Sequence, residues 1–321
     1  MLRTRRPFLL MLICLLVLLT GCGSKVNQTQ SNIDKMKIVT TVYPVYEFVR
    51  QVGGDKVDVV MLVNPGVEPH DWEPTAKELM QIRSAKLFFY HGAGLEPMEK
   101  LLTKEVLGTA QAFEVSKGIA LIEHSDEKDA HKHEHDQEKA HKEDEHNHDA
   151  DSHIWLDPVA AQQEINNIAE ALVAADPANR DYYLKNAEKF NSELIKLDQE
   201  YRLALNNVAR RDLVTSHAAF GYLAKRYDLH QIAIMGLSPD SEPTPDKMAE
   251  IVNFCRENSV KYIFFETLVS PKLSQAIAAE TGAGLLVLNP IESLTEDEIK
   301  QGKSYITIMK ENLINLKKAL D

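Results

Sequence analysis

Of the twelve histidines in the 321-residue chain, ten fall into two settings that suit metal chemistry. Seven of them, His124, His131, His133, His135, His141, His146 and His148, share the segment 123–151 with twelve acidic residues and four lysines. Neutral imidazole is a borderline ligand suited to zinc, copper and nickel, and the carboxylates around it raise the local cation concentration. The segment has almost no aromatic or branched apolar residue, so it cannot bury enough surface to fold alone. A disordered insertion is expected, with His131, His133, His135, His141, His146 and His148 as auxiliary ligands of low affinity. Three more histidines stand at turns of the chain: His70 in Glu68-Pro69-His70-Asp71-Trp72-Glu73-Pro74-Thr75, His153 in Ser152-His153-Ile154-Trp155-Leu156-Asp157-Pro158, and His217 in Val214-Thr215-Ser216-His217-Ala218-Ala219-Phe220-Gly221-Tyr222. One such residue alone is more often structural. Three of them beside a histidine-rich segment point to a metal site.

These histidines sit between short β-rich runs and amphipathic stretches. Lys37 to Val42 precedes Val45 to Val52, Val57 to Val63 precedes Thr75 to Ile82, and Leu87 to Tyr90 precedes Leu95 to Leu107. A second series pairs Leu213 to Ser216 with Ala218 to Tyr227, Leu229 to Met235 with Pro245 to Glu257, and Val260 to Phe265 with Pro271 to Thr281, and ends with Leu285 to Leu288 and a helix from Lys303 to Leu320. Such alternation predicts βα units on parallel strands, hence two Rossmann-like α/β lobes. Between them Pro158 to Ala174 and Ala178 to Asn206 read as helices. In the second, Tyr183, Ala187, Phe190, Leu194, Leu197, Tyr201 and Leu205 keep to one face, with Pro177 as a first-turn proline. A stiff connector of this kind allows only modest closure of the lobes. Ligands of open α/β folds gather at the carboxyl ends of strands, and His70, His153 and His217 all qualify.

The first residues read as a targeting segment. Arg3, Arg5 and Arg6 precede an aliphatic run from Phe8 to Leu19, too short to span a bilayer, and then Leu19-Thr20-Gly21-Cys22. Residues 1–21 are a signal peptide in this reading and 22–35 a lipid anchor at Cys22 with a flexible polar tether. The remaining expected parts are an N-terminal lobe over 36–175, a linking helix over 176–211 and a C-terminal lobe over 212–321. The chain carries 36 Lys plus Arg against 48 Asp plus Glu, a net charge of -12, and loss of the three leader arginines makes it -15. That sign argues against nucleic acid as a partner. With Cys22 lipidated, Cys255 has no partner for a disulfide and is expected to be a buried thiol in a helix.

The sequences around His70, His153 and His217, taken with Leu-Thr-Gly-Cys, resemble the zinc-type substrate-binding lipoproteins of bacterial ABC transporters, the cluster A-I metal-binding group. The resemblance runs from Met36 to the end of the chain. It implies two lobes joined by a long rigid helix, with one ion in the cleft held by His70, His153, His217 and a carboxylate. Glu292, in Asn289-Pro290-Ile291-Glu292-Ser293, matches the family's fourth position, and Glu266, in Phe264-Phe265-Glu266-Thr267, is the competing carboxylate. His91, where the family more often has asparagine, is expected behind the ligands or in a structural role.

Three imidazoles and one carboxylate suit zinc better than manganese, which prefers more oxygen. Zinc is then cargo, and capture is expected to fade below about pH 6 as protons compete for imidazole. The implied partners are an ABC permease with its ATPase subunit, met by a monomer anchored to the outer face of the cell membrane, periplasmic where there is an outer membrane. A zinc-dependent hydrolase is the alternative of another class. However, no His-Glu-x-x-His pair is present, ligands spread over two lobes suit capture and release better than fixed catalytic geometry, and no catalytic residue is assigned. A surface lipoprotein of this family is also compatible with a secondary adhesive role.

Overall fold

A computed structural model describes residues 35–123, 150–240 and 242–321. The leader, Cys22, the tether up to residue 34 and the seven histidines of the insertion lie outside the described residues.

The first lobe is built on four parallel strands. β1 (Met36–Thr40) leads into α1 (Tyr43–Gly53), β2 (Val57–Met61), α2 (Ala76–Ser84), β3 (Leu87–Tyr90), the short α3 (Met98–Leu101) and α4 (Lys104–Leu107), and β4 (Gln111–Glu114). The strand order is β2-β1-β3-β4, with Met36 opposite Val57, Ile38 opposite Leu87 and Leu87 opposite Gln111. Central strands rich in Val, Ile and Phe are covered on both faces, as parallel sheets require. α1 has Pro44 in its first turn and buries Val45, Phe48, Val49 and Val52. At α2 Thr75 and Glu78 form a reciprocal capping box.

Two features differ from the sequence reading. The single helix expected over Leu95 to Leu107 is divided: Pro97 disfavours helix at Glu96, and Thr103 caps a new start by accepting from Val106 N. β4 was not anticipated, because Gln-Ala-Phe-Glu is a half-exposed edge strand with no alternating apolar pattern.

Two long helices follow in the chain, α5 (Pro158–Ala175) and α6 (Arg180–Leu205). α6 is about 39 Å long, and its buried residues are Tyr183, Ala187, Phe190, Leu194, Leu197, Tyr201 and Leu205. Pro177 opens a separate 3-10 turn, Pro177–Asn179, ahead of it.

The second lobe contains β5 (Asp212–Thr215), α7 (Gly221–Tyr227), β6 (His230–Ala233), α8 (Pro245–Glu257), β7 (Tyr262–Phe265), α9 (Lys272–Thr281), β8 (Gly284–Val287), α10 (Glu296–Lys300) and α11 (Tyr305–Leu320). Its strands pair in parallel as β5-β6 and β7-β8, in two short sheets. Cys255 is buried in α8 against Val214, Ile251 and Ile263. α11 packs along α6, with Tyr201 donating to Met309 O at 2.6 Å, and Tyr305 meets Phe48 of the first lobe edge-on. Among the described residues no helix is long and apolar enough to cross a membrane.

The insertion expected over 123–151 has ends that belong to the folded body. Glu123 bridges to Ala150, Asp151 N donates to Ile122 O at 2.9 Å, and Asp151 is buried. The acidic composition of the segment concealed a carboxylate with a fixed partner inside the protein.

Candidate metal centre

His70 lies on the 3-10 turn Pro69–Asp71 that follows β2. Pro69 presets the turn, and the Glu68 side chain caps it by accepting from His70 N at 3.3 Å. His153 stands just before the 3-10 turn Ile154–Leu156, where Asp157 caps α5 by accepting from Val159 N at 2.8 Å. His217 follows β5, its carbonyl accepting from Thr215 Oγ1 at 2.8 Å. Glu292 follows β8 through a turn in which Ile291 has φ 63. That left-handed conformation is costly for a β-branched residue. It is held by Asn289 Oδ1, which accepts from Ile291 N at 2.7 Å, while Asn289 is itself fixed by Glu298 and Asn312. The strained turn aims Glu292 inward.

The four side chains converge, with one donor atom from each lying within 4.8 Å of all the others. Glu292 Oε1 is 2.7 Å from His153 Nε2, 3.1 Å from His70 Nε2 and 3.6 Å from His217 Nε2. His153 Nε2 is 3.3 Å from His70 Nε2 and 3.4 Å from His217 Nε2. Four ligands about 2.0–2.1 Å from a tetrahedral zinc stand about 3.3–3.4 Å apart, the spacing of His153 Nε2 from the other two Nε2 atoms. His153, His217 and Glu292 are fully buried, while the His70 side chain is 11% exposed. Beside His70 a cavity of about 920 Å³ opens, lined by Asp71, Trp72, Glu73, Glu99, Ala150 and Ser238 among others. The root of the insertion therefore lies at the mouth of the site.

Glu266 is elsewhere. Its Oε2 comes within 2.6 Å of His217 Nδ1, on the far side of the ring from the cluster, in a contact too poorly aligned for a good hydrogen bond and carried mainly by charge. Asp151 Oδ1 meets His153 Nδ1 at 2.8 Å. The sequence reading missed Asp151, although its position two residues before His153 was a usable signal.

Burial works against charge on His153, but hydrogen bonds to Asp151 and Glu292 prevail and raise its pKa to about 9. His217 is likewise penalised by burial, and the charge of Glu266 carries it well above the usual imidazole range. Burial also opposes ionisation of Glu292, yet His153, His217 and His70 hold it well below the usual carboxylate range. Without a metal ion the cluster is an ionised Glu292 beside two protonated imidazoles, His153 and His217. Glu68, also absent from the sequence reading, is pushed up to about 8 by burial and then by the charge of Glu292.

His91 stays out of the cluster. It is buried edge-on to Trp155, with Nδ1 3.3 Å from Glu164 Oε1. Burial lowers His91 to about 3 and raises Glu164 to about 8, which keeps both neutral. His230 is exposed beside Asp212. Trp155 braces the site by donating from Nε1 to Pro290 O at 2.7 Å and accepting at its own carbonyl from Tyr305 OH at 2.5 Å.

Residues 38–319 match the family described as zinc-uptake complex component A, periplasmic. The chain is 44% identical over 307 residues to the high-affinity zinc uptake system protein ZnuA of Bacillus subtilis (strain 168), covering 95% of this chain and 94% of that protein. It is 38% identical over 304 residues to the zinc-binding lipoprotein AdcA of Streptococcus pneumoniae (strain ATCC BAA-255 / R6), covering 92% of this chain but only 58% of that longer protein. Among solved structures, the Zn(II)-bound ZnuA-like domain of Streptococcus pneumoniae AdcA superposes with a TM-score of 0.74 at 36% identity, covering 89% of this chain and 99% of that domain.

Proposed function

The chain belongs to the periplasmic zinc-uptake component A family, and on that premise we propose that it is the high-affinity zinc-binding component of an ABC importer, with His70, His153, His217 and Glu292 as the ligands of the transported ion. The observation that carries this reading is the largely buried set of three imidazoles and one carboxylate, drawn from both lobes, whose donor atoms all lie within 4.8 Å of one another. Four protein ligands complete a tetrahedron and leave no open position for an activated water. That supports binding without turnover, as in a transport component.

The finer parts of the reading rest on the sequence. Residues 1–21 direct export, Cys22 carries lipid on the outer face of the cell membrane, and the tether over 22–35 lets a monomer reach its permease, which an ATPase subunit powers. The insertion histidines add weak sites near the mouth of the cleft and raise the zinc concentration there.

The test is zinc titration of the purified mature protein against a competing chelator. A nanomolar site represents ~12 kcal/mol, and an equal division over four ligands gives about 3 kcal/mol each. Replacing any one of the four with alanine should therefore weaken zinc on the order of 100-fold. Full affinity in all four single variants would overturn the assignment. Cys22→Ser should release the protein from membranes on cell fractionation while leaving the titration unchanged.

A further inference from the structure

Two of the three histidines have a buried carboxylate at both the backbone N and the ring Nδ1, hydrogen-bonded to the ring at His153 and held to it mainly by charge at His217. Asp151 Oδ1 accepts from the backbone N of His153 at 2.9 Å and also meets its ring Nδ1 at 2.8 Å. Glu266 accepts from the backbone N of His217 at 3.2 Å through Oε1 and meets its Nδ1 at 2.6 Å through Oε2. Both carboxylates are buried. Asp151 is confined as well, since a Cβ on Gly221 would stand 2.4 Å from its Oδ2. Each histidine is thus fixed at backbone and ring together, with Nε2 facing the cluster. Among the described residues His70 has no carboxylate on its Nδ1.

Resting on the ligand assignment above, we infer that Asp151 and Glu266 are positioning residues that set the metal preference of the cleft, favouring zinc over larger and harder divalent ions such as manganese. Two effects act in the same direction. A carboxylate on Nδ1–H fixes the tautomer and makes Nε2 a stronger donor. Zinc, a borderline-soft ion, gains more from a stronger nitrogen donor than manganese does at the weak end of the divalent affinity order. The grip also holds the His153 and His217 rings with their Nε2 atoms 3.4 Å apart. An ion with longer bonds and six ligands needs those rings to move outward.

The readout is the ratio of zinc to manganese affinity at one pH, from which proton competition cancels because both ions displace the same protons. Asp151→Asn and Glu266→Gln keep the side-chain shape and remove the charge. Once the protons displaced are allowed for, each should weaken zinc about 10-fold to 100-fold, the usual range for residues that orient a metal-bound histidine. Manganese should weaken far less, so the ratio falls about 10-fold or more. Cobalt(II) absorption should shift from intense tetrahedral bands in the unaltered protein toward the weak bands of higher coordination in the variants.

An unchanged ratio, with tetrahedral cobalt bands retained, overturns the inference whether the two affinities fall together or neither falls. His153→Ala and His217→Ala in the same titration separate the two levels of argument. Full zinc affinity there would refute the ligands themselves, whereas loss there with an unchanged ratio in D151N and E266Q refutes only the positioning role. The two carboxylates lie on different lobes, so Glu266→Gln carries the test by itself should Asp151→Asn fail to fold.

Discussion

Zinc affinity should fall steeply with acid, and the fall should begin near pH 9. Free imidazole titrates near 6.5, which places the onset of competition near pH 6. The carboxylates around the cluster move that window upward: His153 titrates at about 9 and His217 well above the usual range, while Glu292 stays ionised. Zinc can bind only when both imidazolium protons leave. At pH 7 a group with a pKa of about 9 is deprotonated in about one molecule in 100, which raises the apparent Kd on the order of 100-fold, about 3 kcal/mol. With His217 contributing a second proton, the apparent Kd should rise about 100-fold for each pH unit of acidification from about 8 to 6. The same shifts fix the stability of the empty protein. Because the folded pKa of His153 exceeds its unfolded value, its contribution is complete below about pH 6.5 and is lost as pH rises through 9, on the order of 3 kcal/mol. Chelator competition across pH 6–9 measures the slope, and calorimetry in buffers of different ionisation enthalpy counts the protons. Release of fewer than one proton per zinc would refute the reasoning.

Glu164 has a folded pKa of about 8, raised by burial, so the stability it allows is whole below its unfolded value of about 4.5 and is lost as pH rises through 8. Glu164→Gln should therefore raise the melting temperature at pH 7–8 and leave it nearly unchanged at pH 4, as followed by circular dichroism. Arg226 of α7 forms a bidentate pair with Asp157 at the start of α5, at 2.6 and 2.8 Å, tying the lobes together. Arg226→Met leaves a buried carboxylate without its partner and should cost about 3 kcal/mol in urea unfolding. Replacing 124–149 with a short Gly-Ser turn between Glu123 and Ala150, which already pair, should leave the tight zinc equivalent in place and remove weaker ones, counted by metal analysis after equilibrium dialysis.

The parts legible in the sequence were those written in a repeat or a rare spacing. The buried stripe of α6 is the period of a helix with one wet face, so Tyr183 through Leu205 could be assigned before any coordinates. His70, His153 and His217 stood out by their settings, and the structure brings all three within reach of Glu292. Residue types alone could not choose between Glu266 and Glu292, because both follow a strand of the second lobe. The difference is which nitrogen of His217 each one meets, Nδ1 for Glu266 and Nε2 for Glu292, and a linear pattern holds no such information. Asp151 was lost for another reason. Composition averages over a window, and one buried aspartate at the edge of an acidic run has the same composition as its solvated neighbours. The Arg226–Asp157 bridge joins residues 69 positions apart, a pairing that local patterns cannot express.

The clustering of acid groups explains how a buried site can be both tight and reversible. Asp151, Glu266 and Glu292 place three formal negative charges beside His153 and His217, sealed from water, and such a group would be unstable if left uncompensated. In the empty protein the two protonated imidazoles offset two of the three charges. In the loaded protein one divalent ion does the same while the imidazoles become neutral, so the net charge of the group is unchanged. Capture is then an exchange of two protons for one zinc with little change in the field felt by the surrounding apolar core. The protein need not unfold or refill with water to let the ion go. It follows that the carboxylates behind the histidines matter in both states: they hold the protons when zinc is absent and strengthen the nitrogen donors when it is bound.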